Sequence, residues 1–174
     1  MIVEARVKWY KNPEMLVALS ALFIGLVTAV ISIYSAYIDR AYAKASVWPR
    51  IEIYRSYGEQ KFSYGVANKG TGPAIFHYAK ISYNDTVIKR WSERKEFRHI
   101  EQSHIGNITL PAGQSVLPVN YKGEHTSEIL AADPYMYIEL CYCSIYDDCW
   151  VVDRNNNPKS VEACSIGESQ MFLQ

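Results

Sequence analysis

Met15 to Ile38 reads MLVALSALFIGLVTAVISIYSAYI and contains no Asp, Glu, Lys, Arg, His, Pro or Asn. At about 1.5 Å of rise per residue, a helix of about 24 residues crosses a hydrocarbon core about 30 Å thick. This run decides the architecture. It implies a short N-terminal segment over 1–14, a membrane helix over 15–38, a juxtamembrane linker over 39–46 and an anchored domain over 47–174. The helix start is marked: Asn12 is placed to cap it, Pro13 suits the first turn, and Glu14 meets the positive end of the dipole. Trp9 and Tyr10 precede the run, and Tyr34, Tyr37 and Tyr42 gather at its far end. That is the aromatic distribution of two membrane interfaces.

A cleaved signal peptide is the rival reading, because Ala41-Tyr42-Ala43 and Ala43-Lys44-Ala45 have the small-residue form of a cleavage site. The apolar run exceeds the about 7–15 residues of a typical signal core, so a retained helix is expected. Ala18, Ala21, Gly25, Thr28, Ser32 and Ser35 recur at alternating spacings of three and four and fall on one stripe. Small residues let two helix backbones approach and expose hydroxyls for cross-helix bonds. The partners expected are therefore the lipid bilayer and other membrane proteins, or a second copy of this chain. With 18 basic and 18 acidic residues the net charge is zero, which gives no electrostatic reason to expect nucleic acid.

The remaining about 130 residues suit one compact domain with its own core. Ile51 and Ile53 alternate with Glu52 and Tyr54, and Phe62, Tyr64 and Val66 alternate next. Period two means strand. Further strands are expected over 74–83, 86–89, 107–110, 114–121, 135–145 and 149–153, with turns at Asn68 to Pro73, Asn84-Asp85 and Pro111 to Gly113. The segment 91–101 is charged and reads as a short surface helix or an irregular crossing, and 125–132 as one helical turn. The 14 tyrosines against 5 phenylalanines favour half-buried strands. The expected fold class is mainly β, one transmembrane helix followed by an antiparallel sandwich of about seven strands.

The series Phe62-Ser-Tyr64-Gly-Val66-Ala-Asn68-Lys-Gly70-Thr-Gly72-Pro-Ala74, the turn Asn84-Asp85 and the series Leu110-Pro-Ala-Gly113-Gln-Ser115 resemble bacterial immunoglobulin-like domains of the adhesion-related type. In those domains an N-x-G-x-G turn joins two strands and an L-x-x-G-x-S turn precedes a later one. The whole chain is similar to small bacterial single-pass membrane proteins with an exported domain of this kind. The likeness spans residues 47–121. It implies a fold and carries no site residues with it. The chain departs from the pattern in the charged insert 91–104 and in its cysteine-rich end.

All four cysteines (Cys141, Cys143, Cys149 and Cys164) lie late in the chain, and an even set in one small domain suggests disulfides and an oxidising compartment. The basic residues do not orient the helix, since Arg6, Lys8 and Lys11 balance Arg40, Lys44 and Arg50. The cysteines do: the N-terminus is expected in the cytoplasm, the helix in the inner (cell) membrane, and the domain in the periplasm or outside the cell. Cys141 and Cys143 point to the same face of one strand. If Ser144 and Asp148 close a hairpin, Cys143 faces Cys149, leaving Cys141 for Cys164; four cysteines allow three pairings.

No catalytic constellation emerges, and neither a cofactor nor a metal is expected. C-x-C lacks the C-x-x-C spacing on a helix N-terminus that activates a thiol. His77, His99, His104 and His125 stand at no ligand spacing from a cysteine. His99, Glu101 and His104 read as a solvated face. Ser144 and Ser165 have no His–Asp partner readable from spacing, and Asp147, Asp148 and Asp153 lack a calcium-loop pattern. Tyr142, Tyr146 and Trp150 are the candidates for partner contact, against the alternative that they fill the core. The expected role is a non-enzymatic accessory or interaction subunit. Glycan or peptidoglycan binding is the first alternative and thiol–disulfide exchange the second.

Overall fold

The structure, a computed structural model, describes residues 12–174. Arg6, Lys8, Trp9, Tyr10 and Lys11, on which the charge tie and the first aromatic girdle rest, lie outside the described residues. The chain divides into a first unit that ends at Ala43 and a second unit from Lys44 to Gln174.

The first unit is dominated by α1 (Pro13–Ser46). Asn12 caps it: its Oδ1 accepts from the Glu14 N–H at 3.2 Å and its carbonyl from the Leu16 N–H at 3.2 Å. No residue of α1 is buried, and Leu16, Phe23, Val30 and Ile33 are exposed around it. A helix apolar on every side has no soluble face. It is long and apolar enough to cross a membrane. The expected linker 39–46 is helical instead. Ala41, Ala43, Ala45, Arg40 and Lys44 are strong helix formers, and nothing stops the helix until Trp48-Pro49.

The second unit is built from antiparallel sheets. The first sheet has the order β1 (Ile51–Gly58), β2 (Lys61–Asn68), β7 (Ser115–Lys122) and β5 (Glu101–Gln102). The second has the order β10 (Lys159–Val161), β9 (Cys149–Asp153), β8 (Met136–Cys143), β3 (Ala74–Tyr83) and β4 (Thr86–Ile88). The short β6 (Thr109–Leu110) also pairs with β3. These are ten strands among the described residues where about seven were expected. The surplus comes from pieces of two or three residues. A helix of about two turns, α2 (Thr126–Ala132), lies between β7 and β8 in the chain.

Alternation puts Ile51, Ile53, Phe62, Tyr64, Val66, Val119 and Tyr121 of the first sheet into one hydrophobic cluster with Phe76, Ile81, Ile138, Leu140, Tyr142 and Val152 of the second. The charged insert is not a surface helix. It forms two 3₁₀ turns, Trp91–Glu93 and Lys95–Phe97, and these drive Trp91 and Phe97 into the core. Trp91 meets Phe97 at 5.4 Å, Phe172 at 5.1 Å and the Tyr64 ring at 6.0 Å. The last residues hold that plug in place: Phe172 N–H donates to Ala79 O, and Leu173 N–H to Lys89 O, both at 2.9 Å.

The N-x-G-x-G turn has a physical cause. Asn68 is fully buried, and its amide is saturated. Its Oδ1 accepts from Arg50 N–H and Gly70 N–H, and its Nδ2 donates to Gly72 O and Leu110 O, at 2.8–3.2 Å. One side chain thus joins the chain before β1, the turn after β2 and β6. A Cβ at Gly70 or Gly72 would collide with the backbone of Trp48 or Val47, so only glycine lets the two segments lie this close.

Candidate functional site

Three constellations in the second unit bring chemically capable groups together. The first is the cysteine hairpin. β8 pairs with β9 so that Cys143 stands opposite Cys149, and the Ser144–Asp148 turn is closed by Ser144 N–H donating to Asp148 O at 2.8 Å. Asp147 takes the left-handed backbone conformation that this tight turn needs. Cys143 Sγ and Cys149 Sγ lie 2.08 Å apart, and Cys141 Sγ and Cys164 Sγ 1.95 Å apart. These are disulfide distances in the arrangement the hairpin register favoured. The two bridges adjoin, with Cys143 Sγ 3.7 Å from Cys164 Sγ. Cys143, Cys149 and Cys164 sulfurs cluster within 4.8 Å. A bridged sulfur is not a thiolate, and only thiolates ligate a metal or attack a disulfide.

The second is an aromatic run beside the hairpin. Tyr142 stacks on Trp150 at 5.8 Å, and Trp150 meets Trp48 edge-on at 6.4 Å. Tyr142 has no exposed surface, so it serves the core rather than a partner. Its hydroxyl lies 3.5 Å from Ile51 N, and burial pushes its ionisation up from the usual phenol range. Trp150 is half-buried, and Tyr146 is exposed on the turn. Tyr78 and Tyr137 flank Glu139, donating to it at 3.3 and 2.9 Å. Burial first, then the Glu139 carboxylate, pushes both up to about 12.

The third was not legible in the sequence. Asp133, its side chain 1% exposed, sits between two arginines and a tyrosine. Arg154 Nη2 pairs with Asp133 Oδ1 at 2.8 Å, and Arg154 Nη1 donates to the carbonyls of Asp133 and Met136. Arg55 Nη1 pairs with Asp133 Oδ2. Tyr64 O–H donates to Asp133 Oδ1 at 2.5 Å, and its ionisation is pushed far up by burial and then by that carboxylate. Two cations against one anion leave this cluster with one positive charge. It opens into a recess of about 260 Å³ lined by Ile53, Tyr54, Arg55, Tyr57, Tyr64 and Arg154.

The remaining candidates stay scattered. Ser144 is buried and accepts from Tyr146 N–H at 3.2 Å. His99 and His104 are exposed beside Glu101, and His125 contacts Glu128 at 3.0 Å on the surface. Asp153 is occupied with Asn155 N–H at 2.8 Å. On α1, Ala18, Ala21, Gly25, Thr28, Ser32 and Ser35 are all exposed, and a Cβ at Gly25 would meet nothing. Two of the stripe's three hydroxyls turn back on the helix. Thr28 Oγ1 donates to Ile24 O and Ser32 Oγ to Thr28 O, both at 2.8 Å. That back-bonding satisfies them inside the helix.

Neither a scan against protein-family models nor a search of curated proteins finds a match for this chain.

Proposed function

We propose that the protein is a non-enzymatic, membrane-anchored interaction subunit. In this reading α1 lies in the inner (cell) membrane and packs against other membrane helices, the N-terminus is cytoplasmic, and the second unit is an immunoglobulin-like sandwich of the adhesion-related type outside the cytoplasm. The observation that carries it is α1 itself: an apolar helix with no buried residue, its Thr28 and Ser32 hydroxyls satisfied internally, in a chain that also carries a separate disulfide-bearing β unit. A helix apolar all round needs lipid or other helices around it, and its small-residue stripe suits the second as well as the first. The bridged cysteines favour an oxidising compartment for the β unit. Asn68 and its glycines favour the adhesion-type turn. Extraction of native membranes in mild detergent tests the reading. The protein is expected in a larger assembly that Gly25→Leu loosens. A clean monomer, unchanged by Gly25→Leu, would overturn it.

Glycan binding loses one of its supports, because Tyr142 lies in the core. Thiol exchange keeps one, the 3.7 Å approach between the two bridges. Bridges that stay protected through turnover assays with a reduced thiol substrate would dismiss it.

A further inference from the structure

We propose that the free edge of β1, from Arg55 to Gly58, is the surface that captures the partner, and that the partner is an acidic segment in extended conformation added as an extra strand. The inference rests on the interaction-subunit reading and deepens it.

The edge is defined by register. The β1–β2 hairpin closes with Gly58 opposite Lys61, so Ser56, Tyr54 and Glu52 turn their backbone groups toward β2. Ile51, Ile53, Arg55 and Tyr57 turn theirs outward. The first two of these are covered. Ile51 N–H faces the Tyr142 hydroxyl. Ile53 is clasped on both sides by Asn156, whose Oδ1 accepts from Ile53 N–H at 2.7 Å and whose Nδ2 donates to Ile53 O at 2.9 Å. Asn156 adopts left-handed backbone to do this, so the loop after β9 acts as a one-residue strand. Beyond Ile53 the cover ends. Among the described residues, no group bonds the outward N–H and C=O of Arg55 and Tyr57. An unpaired strand edge is a template for another chain.

Charge selects the occupant. Arg55 uses only Nη1 on Asp133, so its Nε and Nη2 donors remain for a ligand, and its guanidinium lies 4.9 Å over the Tyr57 ring at the same edge. The recess beside it is lined by Arg55 and Arg154 and by no acid. A carboxylate fits the free fork of an arginine. A second copy of this chain, paired edge to edge, would bring Arg55 against Arg55 and is disfavoured by like charge. Gly65 shapes the outer wall. It stands opposite Tyr54, and a Cβ there would strike the Tyr54 ring, so glycine lets that ring lie flat across β2.

The test uses the full chain in detergent micelles and peptides of about eight residues with alternating Thr and Val. A single glutamate is moved through every position, and each peptide has a glutamine counterpart. Titration by calorimetry to about 1 mM is followed by amide exchange. At least one glutamate peptide is expected to bind, to protect the Arg55 and Tyr57 amides, and to weaken about tenfold when glutamate becomes glutamine. Arg55→Gln should weaken it equally. Tyr57→Pro removes one outward N–H and leaves the β2 bonds in place, but it also removes the ring under Arg55, so Tyr57→Ala, which loses the ring and keeps the N–H, is its control: Tyr57→Pro should abolish strand addition where Tyr57→Ala retains it, at matching melting temperatures. The proposal is overturned if no glutamate peptide binds, if glutamine peptides bind as well, if Tyr57→Pro binds normally, or if free glucuronate competes as tightly as the peptide. Any of these leaves the co-purification test of the interaction subunit untouched.

Discussion

Asn68 shows how much one side chain can settle. Its amide meets four backbone partners from three segments, so Asn68→Ala strands four backbone groups at once, two of them in buried bonds and two in partly buried ones. A loss of about 3 kcal/mol in urea unfolding is expected, against well under 1 kcal/mol for an exposed asparagine such as Asn155. Asp133→Ala should cost about 3–5 kcal/mol by the same assay, because it leaves Arg154 and the Tyr64 hydroxyl facing each other without the anion that joins them. Alkaline pH tests the tyrosines. Tyr64, Tyr78, Tyr137 and Tyr142 ionise higher in the folded protein than unfolded. Above pH about 10 the unfolded state therefore releases protons the native state keeps, and stability falls as pH rises toward 12 and beyond. Absorbance at about 295 nm should show these four phenols titrating late, with unfolding. Asn68 was legible because its glycines follow at fixed spacing. Asp133 was not: its partners Arg55 and Tyr64 lie 78 and 69 residues away, and no local pattern separates it from an ordinary residue before proline.

At the scale of elements, legibility followed periodicity. Ile51 and Ile53 alternate with Glu52 and Tyr54, and these residues open β1. β10 has three residues after an Asn-rich loop, too few to show a period, and it forms only because β9 offers an edge. The insert around Trp91 was read as a short surface helix or an irregular crossing, and its charges concealed the two rings it buries. Two 3₁₀ turns hide two aromatic rings among exposed Arg, Lys and Glu, and the tail that locks Trp91 comes from the far end of the chain. Trp91→Ala should cost about 3–5 kcal/mol, a magnitude no surface residue reaches. The cysteine hairpin was readable from register alone. Replacing Cys141 and Cys164 together by alanine opens a bridge with a sequence separation of 23, and a loss of about 3 kcal/mol is expected in chemical unfolding. α1 was legible in its apolar run but not in its C-terminal extension, since helix propensity carries it on past the last apolar residue.

The whole molecule couples a helix suited to lipid with a β unit whose buried Asn68 and Asp133 are hydrogen-bonded within it, whereas Arg94 Nε and Glu96 Oε2 are buried without a hydrogen bond, 3.6 Å apart. Ser144 Oγ accepts from Tyr146 N–H, and the four sulfurs are paired among themselves. The central claim is a membrane-held chain whose β unit stays oxidised outside the cytoplasm. Mass-tag alkylation of the membrane pellet from acid-quenched cells tests it most directly. The account predicts the chain in the pellet, taking up no tag before reduction and four after it. Four tags without reduction, or a chain recovered in the soluble fraction, would contradict it.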